Sequence, residues 1–288
     1  VLSKEEGNFV NQRNENLNES LNEQLNELTT VRFSIDSAGV AEVLLNRPSL
    51  HNSFQPVMIR ELTNVFRALT ERSDVRTVIL RGEGKSFCAG ADLSYMQEMA
   101  NFSFEENRID AVELHQMFWA IRSCPHPIIG KLHGNIMGGG VGLAAVCDLV
   151  AATSDSKFCF SEVKLGIAPA VISPFVLERM QSSSARRYML TGEVFDANTA
   201  QASGLVHYVG DVAAVDEFVN QALENFKQNS PESMRATKML LQVVSESSDW
   251  AHRSEITTQV IAELRVSPEG QKRLRGFLNK CNSQKETK

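Results

Sequence analysis

Gly138-Gly139-Gly140-Val141-Gly142-Leu143, running into Ala144-Ala145-Val146-Cys147-Asp148, is the stretch from which the rest of the chain can be placed. Three glycines end a strand-like run from Pro127 to Met137, and a small-residue helical segment follows. Glycine opens backbone angles closed to other residues and leaves no Cβ in a ligand's way. The first helical turn beyond it has amide N–H groups without partners inside the helix, and its dipole favours negative charge. The product is a backbone donor aimed at an anion. A tight strand-to-helix crossing is the plainer alternative.

A second such place lies upstream. Val75 to Gly82 reads as a buried strand leading into Glu83-Gly84-Lys85-Ser86-Phe87-Cys88-Ala89-Gly90-Ala91-Asp92-Leu93. Here the small turn Ala89-Gly90-Ala91 again joins a strand to a helical pattern, with Asp92 in the N-terminal position. Two backbone N–H donors from separate turns are what is needed to hold a thioester oxygen as it becomes an enolate. No G-x-G-x-x-G fingerprint follows a strand, and no G-x-x-x-x-G-K-[ST] phosphate loop occurs.

Cys88-Ala89-Gly90-Ala91-Asp92-Leu93, Gly138-Gly139-Gly140, Cys147-Asp148 and the block from Phe160 to Pro169 occur in the order seen in one family. The chain resembles the crotonase (enoyl-CoA hydratase/isomerase) superfamily over about residues 31 to 281, and most of all methylglutaconyl-CoA hydratase-type members. The resemblance implies an α/β fold, a crotonase-like spiral of ββα units followed by a helical C-terminal trimerisation region. It also implies an acyl-CoA substrate, with coenzyme A entering as part of the substrate and no separate cofactor. A homotrimer or dimer of trimers and a place in fatty-acid or leucine catabolism are implied as well.

Composition sets the bounds. The 288 residues carry 29 basic and 35 acidic side chains, a formal charge of −6, which argues against a general nucleic-acid surface. No run approaches the length of a membrane span. The cysteines (Cys88, Cys124, Cys147, Cys159, Cys281) have no C-x-x-C spacing, and four sit in apolar or small-residue settings typical of buried free thiols. A reducing, cytoplasmic compartment is expected. The histidines show no metal-binding spacing, so no metal is expected. His133, on the strand before the glycines, reads as a satisfied core histidine.

Residues 1–29 form an Asn- and Glu-rich extension with Leu17, Leu21, Leu25 and Leu28 at helical spacing, and the opening lacks the pattern of a secretory signal. Residues 30–210 read as the core: a hairpin at 31–45, a helix over 56–72 begun by Pro56, then strands and helices in alternation. Alternation of this kind implies parallel pairings with crossover helices. Residues 211–288 read as a helical C-terminal region, and the pattern is mostly helical from about 174.

The resemblance assigns the two oxyanion donors to the N–H groups of Ala91 and Gly139, and the acid/base role to Glu162. A carboxylate in an apolar cleft has its pKa raised toward neutrality, which suits proton transfer; a solvated strand-end glutamate is the alternative. The family meets adenine near the Ala89 carbonyl, and Gly90, Asp92, Leu93 and Gly138 join the substrate-binding positions. Lys164 is a candidate for a distal carboxylate on the substrate. Lys280, with Arg273 beside it on a basic helix end, is a candidate for phosphate. Two departures stand out. Two-glutamate hydratases carry a glutamate where this chain has Gly142, and Ala170 replaces a glycine that helps hold water. A hydratase with one glutamate is the leading reading. A double-bond isomerase using Glu162 alone and a non-catalytic acyl-CoA-binding scaffold are the alternatives.

Overall fold

A computed structural model describes residues 27–286, with side chains through residue 279. The predicted leucine stripe at Leu17, Leu21 and Leu25 lies outside the described residues, as does the side chain of Lys280. Leu28, the last leucine of that stripe, is half-buried against the core. The chain forms two compact units, one ending at Glu224 and the other beginning at Asn225.

In the first unit, β1 (Val31–Ile35) and β2 (Val40–Leu45) form the expected antiparallel hairpin, with Val31 opposite Leu45. Helix α1 (Pro56–Thr70) starts with proline in its first turn, where the missing N–H costs nothing. It buries Met58, Ile59, Leu62, Val65, Phe66 and Leu69 on one face. Each such side chain contributes about 1.5–3 kcal/mol. Strand β3 (Thr77–Gly82) lies parallel to β2, and β4 (Ile128–Leu132) parallel to β3. Between them run α2 (Leu93–Met99) and α3 (Phe104–Ser123), the latter entered through a Ser103/Glu106 capping box.

The run from Pro127 to Met137, expected as one strand, is two. It breaks at His133-Gly134, and β5 (Asn135–Met137) leaves β4 for a different sheet. Gly134 has φ +62° and packs so closely on the Lys85 carbonyl that a Cβ would collide with it. Helix α4 (Gly139–Val146) is apolar all round and buried from Gly140 to Val146. Strands β6 (Leu149–Thr153) and β9 (Tyr208–Gly210) complete a six-stranded sheet of order β1-β2-β3-β4-β6-β9. Strand β5 pairs in parallel with β7 (Lys157–Cys159), and β8 (Phe195–Asp196) adds to β7 antiparallel. Within the stretch expected to be mostly helical, β8 and β9 are strands of two and three residues, too short to leave an alternating pattern. Around them lie α5 (Ser173–Leu177), α6 (Ser182–Thr191), α7 (Ala197–Ala202) and α8 (Val212–Gln228), which runs across the unit boundary.

The second unit continues with α9 (Pro231–Glu246), α10 (Trp250–Val266) and α11 (Pro268–Glu286). No residue of α9 or α10 is buried, and Leu241, Trp250, Val266 and Phe277 are exposed. No described helix is long and apolar enough to cross a membrane.

One carboxylate fixes the entry of β1. The N–H groups of Thr29, Thr30 and Val31 and both threonine hydroxyls donate to Glu61 on α1. Burial works against the ionised form, but these bonds together hold the Glu61 pKa below the ordinary 4.5. Stability from this clamp is therefore present above the unfolded-state pKa and lost as pH falls through the lower folded value. Glu61→Ala should cost about 1–3 kcal/mol by urea unfolding at neutral pH, with the difference shrinking in acid.

Candidate active site

Phe54 fixes the direction of the first turn. Its N–H donates to the Gly90 carbonyl at 2.7 Å, and its carbonyl accepts from Asp92 N–H at 2.9 Å. This parallel bridge brackets Ala91 and leaves its own N–H facing the other way. Among the described residues nothing accepts from it. The Ala89 N–H, two residues earlier, is tied to the His51 carbonyl at 3.0 Å.

Asp92 caps α2 through Ser94 N–H and meets Arg47 Nη2 at 2.8 Å. Its carboxyl is held below the ordinary 3.8 by the Ser94 hydroxyl, against the pull of burial, with Arg47 adding to the effect. The polar end of this expected substrate-binding residue is thus engaged within the protein, while Leu93 beside it is exposed.

The glycine turn arrives from the small sheet. Met137 N–H donates to the Cys88 carbonyl at 2.9 Å, and Gly138 N–H to the Cys159 carbonyl at 2.8 Å. Gly138 adopts φ +49°, open to glycine at little cost, and stands at the N-cap of α4. Gly139, the first helical residue, has an N–H with no acceptor among the described residues. The two turns adjoin: a Cβ built on Gly138 would lie 3.9 Å from Gly90 Cα.

The same Cβ would lie 3.2 Å from Glu162 Oε1, so the carboxyl faces the glycine turn. Glu162 opens a 3-10 turn (Glu162–Leu165) that stops at Gly166 in the left-handed conformation. The side chain is half-buried, and Oε2, shielded from solvent, has no hydrogen-bond partner among the described residues. Burial pushes its pKa above the ordinary 4.5, with its own backbone N–H offsetting only part of the effect. The structure therefore brings together Glu162, Gly138 and Gly90, with two unpaired backbone donors at their flanks.

Other expected positions fall elsewhere. Lys164 and Ala170 are exposed, and Lys164 Cε lies 3.2 Å from where a Cβ on Gly192 would stand. Arg273 is tied to Glu269 and to the carbonyls of Gln228 and Asn229. Gly142 is buried: a Cβ there would lie 2.5 Å from Ile172 Cγ2 and 2.9 Å from the Phe118 ring. His133 is not a core histidine. The strand ends at Leu132, and His133 is half-exposed, its Nε2 bonded to the Gly84 carbonyl, in a cleft of about 300 Å³ shared with Arg81, Lys131 and Asp155. Cys88, Cys124, Cys147 and Cys159 are buried, and burial pushes the Cys88 thiol up to about 12. Among the described residues no cluster of metal-ligating side chains occurs.

Sequence reasoning read Asn46-Arg47-Pro48 only as a break and so missed the loop that braces the Ala91 turn. Its signal was a buriable Arg47 ahead of the polar pair His51-Asn52.

Residues 36–287 match the family model described as enoyl-CoA hydratase/isomerase. An enoyl-CoA hydratase of Alternaria alternata is 35% identical over 207 residues, covering 72% of this chain and 67% of that protein. A mitochondrial Delta(3,5)-Delta(2,4)-dienoyl-CoA isomerase of Dictyostelium discoideum is 34% identical over 220 residues, covering 72% and 74%. Among solved structures, an enoyl-CoA hydratase from Shewanella pealeana superimposes with a TM-score of 0.85 at 35% identity, over 90% of this chain and 97% of that one.

Two outcomes follow from the packing. A raised carboxyl pKa stabilises the fold fully below the unfolded value, and that contribution is lost as pH rises through the folded value. Glu162→Gln, which cannot ionise, should melt above the parent at about pH 8 and converge with it toward the ordinary 4.5. Gly142→Glu should destabilise by about 1–3 kcal/mol or more through overpacking, read from denaturant unfolding.

Proposed function

The chain belongs to the enoyl-CoA hydratase/isomerase family, and from that premise we propose that Glu162, with the N–H groups of Ala91 and Gly139, forms a catalytic site that hydrates a 2-enoyl-CoA thioester. The observation that carries the reading is a half-buried carboxyl with an unpartnered buried oxygen beside two turns, each of which leaves one amide, Ala91 N–H or Gly139 N–H, without an acceptor among the described residues.

In this mechanism the thioester oxygen accepts from Ala91 N–H and Gly139 N–H. Glu162 takes a proton from water as its oxygen bonds to C3. The π electrons move toward the carbonyl, giving an enolate whose oxygen lies between the two donors. Glu162 then returns the proton to C2, and the carboxylate is restored. A backbone donor in this role is worth about 2.7–4 kcal/mol of barrier. The raised pKa brings the acid and base forms of Glu162 closer in energy, as a group that must serve as both requires.

Gly142 supports a second reading. Ile172 and Phe118 occupy the space a second carboxylate would need, so one group must do all proton transfer. That is sufficient for isomerisation, in which Glu162 removes a proton from C2 of a 3-enoyl thioester and returns it at C4. Within the hydratase reading, the methylglutaconyl-type branch assigns the substrate's distal carboxylate to Lys164, which stands exposed two residues from Glu162. We place the enzyme in the cytoplasm, a reading supported by its buried cysteines and their lack of C-x-x-C spacing.

We further propose that second copies cover the apolar residues of α9 to α11, giving a trimer or a dimer of trimers. Helices that bury no residue of their own gain stability from such packing.

Ultraviolet absorbance separates the chemistries. Mixing with a 2-enoyl-CoA should give decay, and with a 3-enoyl-CoA growth only if isomerisation dominates. Glu162→Gln should lower the active signal by about 10²-fold or more. Unchanged turnover in that variant would remove Glu162 from the mechanism, and turnover of neither thioester would leave a binding scaffold. A panel of straight, branched and carboxylated enoyl-CoAs tests the acyl class. Light scattering at one monomer mass would end the trimer proposal.

A further inference from the structure

The loop from Arg47 to Phe54 contains two consecutive non-glycine residues in the left-handed region, His51 at φ +50° and Asn52 at φ +54°. Such a pair persists only where its surroundings over-determine it, and strain of this kind clusters at working sites. The surroundings here are specific. Asn52 is fully buried. Its Oδ1 accepts from Arg47 N–H at 2.8 Å, while its Nδ2 donates to the carbonyls of Glu83 at 2.9 Å and Ser86 at 2.8 Å. The amide thereby joins the Arg47 loop to the segment that leads into Cys88-Ala89-Gly90-Ala91.

Arg47 makes the second tie. Its Nη1 donates to the Ser53 carbonyl at 2.6 Å and its Nη2 to Asp92 Oδ2 at 2.8 Å, with the arginine side chain 13% and the aspartate 6% exposed. From this braced loop come the backbone hydrogen bonds that flank Ala91: the His51 carbonyl takes Ala89 N–H, and Phe54 brackets Ala91 from both sides. Neither Arg47 nor Asn52 needs to touch substrate to matter. A charge-assisted pair and a saturated buried amide fix where one N–H points.

We propose that Arg47 and Asn52 are positioning residues that aim the Ala91 N–H at the developing enolate oxygen, so that they act on the transition state more than on substrate binding. This rests on the proposed role of Ala91. A donor that is preorganised contributes because it need not move during the reaction, and an interaction made mainly in the transition state appears in kcat rather than KM.

The variants are Asn52→Asp, which keeps the acceptor for Arg47 N–H but loses both donors, and Asn52→Gly, which removes the bonds yet relaxes the left-handed dihedral. Arg47→Lys keeps the charge but loses the two-point bridge. Each is compared with the parent and with Glu162→Gln, using crotonyl-CoA and a 3-enoyl-CoA for turnover and butyryl-CoA for binding by calorimetry. Melting curves identify the variants that remain folded.

The expected result in the folded variants is a fall in kcat of about 10- to 100-fold, with KM and butyryl-CoA Kd within about threefold of the parent. Arg47→Lys should be the mildest. Turnover within about twofold of the parent in Arg47→Lys and Asn52→Gly together overturns the proposal, as does a rise in KM and Kd that accounts for the whole loss. If the parent and Glu162→Gln are equally inert, the reading of the site fails and this inference falls with it. An active parent, a dead Glu162→Gln and parent-like loop variants overturn the positioning role alone.

Discussion

Phe54 meets the two turns of the site in two different ways, and the arrangement of the cleft depends on both. Its main chain brackets Ala91 by bonds to Gly90 and Asp92. Its ring occupies the space into which a side chain on Gly139 would extend, with Cε2 only 2.6 Å from where that Cβ would stand. One residue thus sets the angle of the first turn by hydrogen bonding and the distance to the second by contact. Its ring in turn meets Phe118 edge-on at 6.3 Å, and Phe118 lies 5.7 Å from Phe175, so the cleft is backed by a chain of aromatic packing from three segments. Small displacements in a close-packed interior are resisted from all sides.

The carboxyl comes to this frame by strand register. Met137 pairs with Cys159 in the small sheet, and Gly138 N–H continues the ladder to the Cys159 carbonyl. Glu162 follows three residues later, at the start of a turn that brings its side chain back onto Gly138. A slip of one residue in that short pairing would send the carboxyl to the opposite face. The separation of β5 from β4 at Gly134 is therefore as important to the proposed chemistry as the carboxylate, since it puts the glycine turn in the same sheet as the strand leading to Glu162. Leaving Oε2 without a donor costs native stability, and under the proposed mechanism it is exchanged for proton-transfer capacity.

Much of this was legible in the chain. The hairpin, the proline-started helix, the two small-residue turns and the placement of Asp92 at a helix start follow from local rules on glycine, proline and periodicity, and the structure has them where those rules put them. What was not legible depends on partners distant in sequence. The close approach at the strand's end involves a residue distant in sequence, since Gly134 lies against the Lys85 carbonyl where no Cβ would fit. Strands of two or three residues carry no period. The loop at Arg47 to Asn52 reads as irregular, and its role becomes visible only when the carbonyls of Glu83 and Ser86 are seen on the same amide. Gly142 was recognisable as a departure from two-glutamate relatives, but not the reason it is tolerated, which lies in Phe118 and Ile172.

That packing bears on how enzymes of this shape diverge. Because Phe118 and Ile172 close over Gly142, no single replacement can install an acid there in a well-packed chain. Both neighbours must shrink first, and shrinking Phe118 removes support from Phe54 and so from both turns at once. The intermediate genotypes carry the burden of a loosened cleft before any gain from a new carboxylate arrives. Acquiring a second acid at this position is thus epistatically constrained by the order in which the substitutions would have to occur.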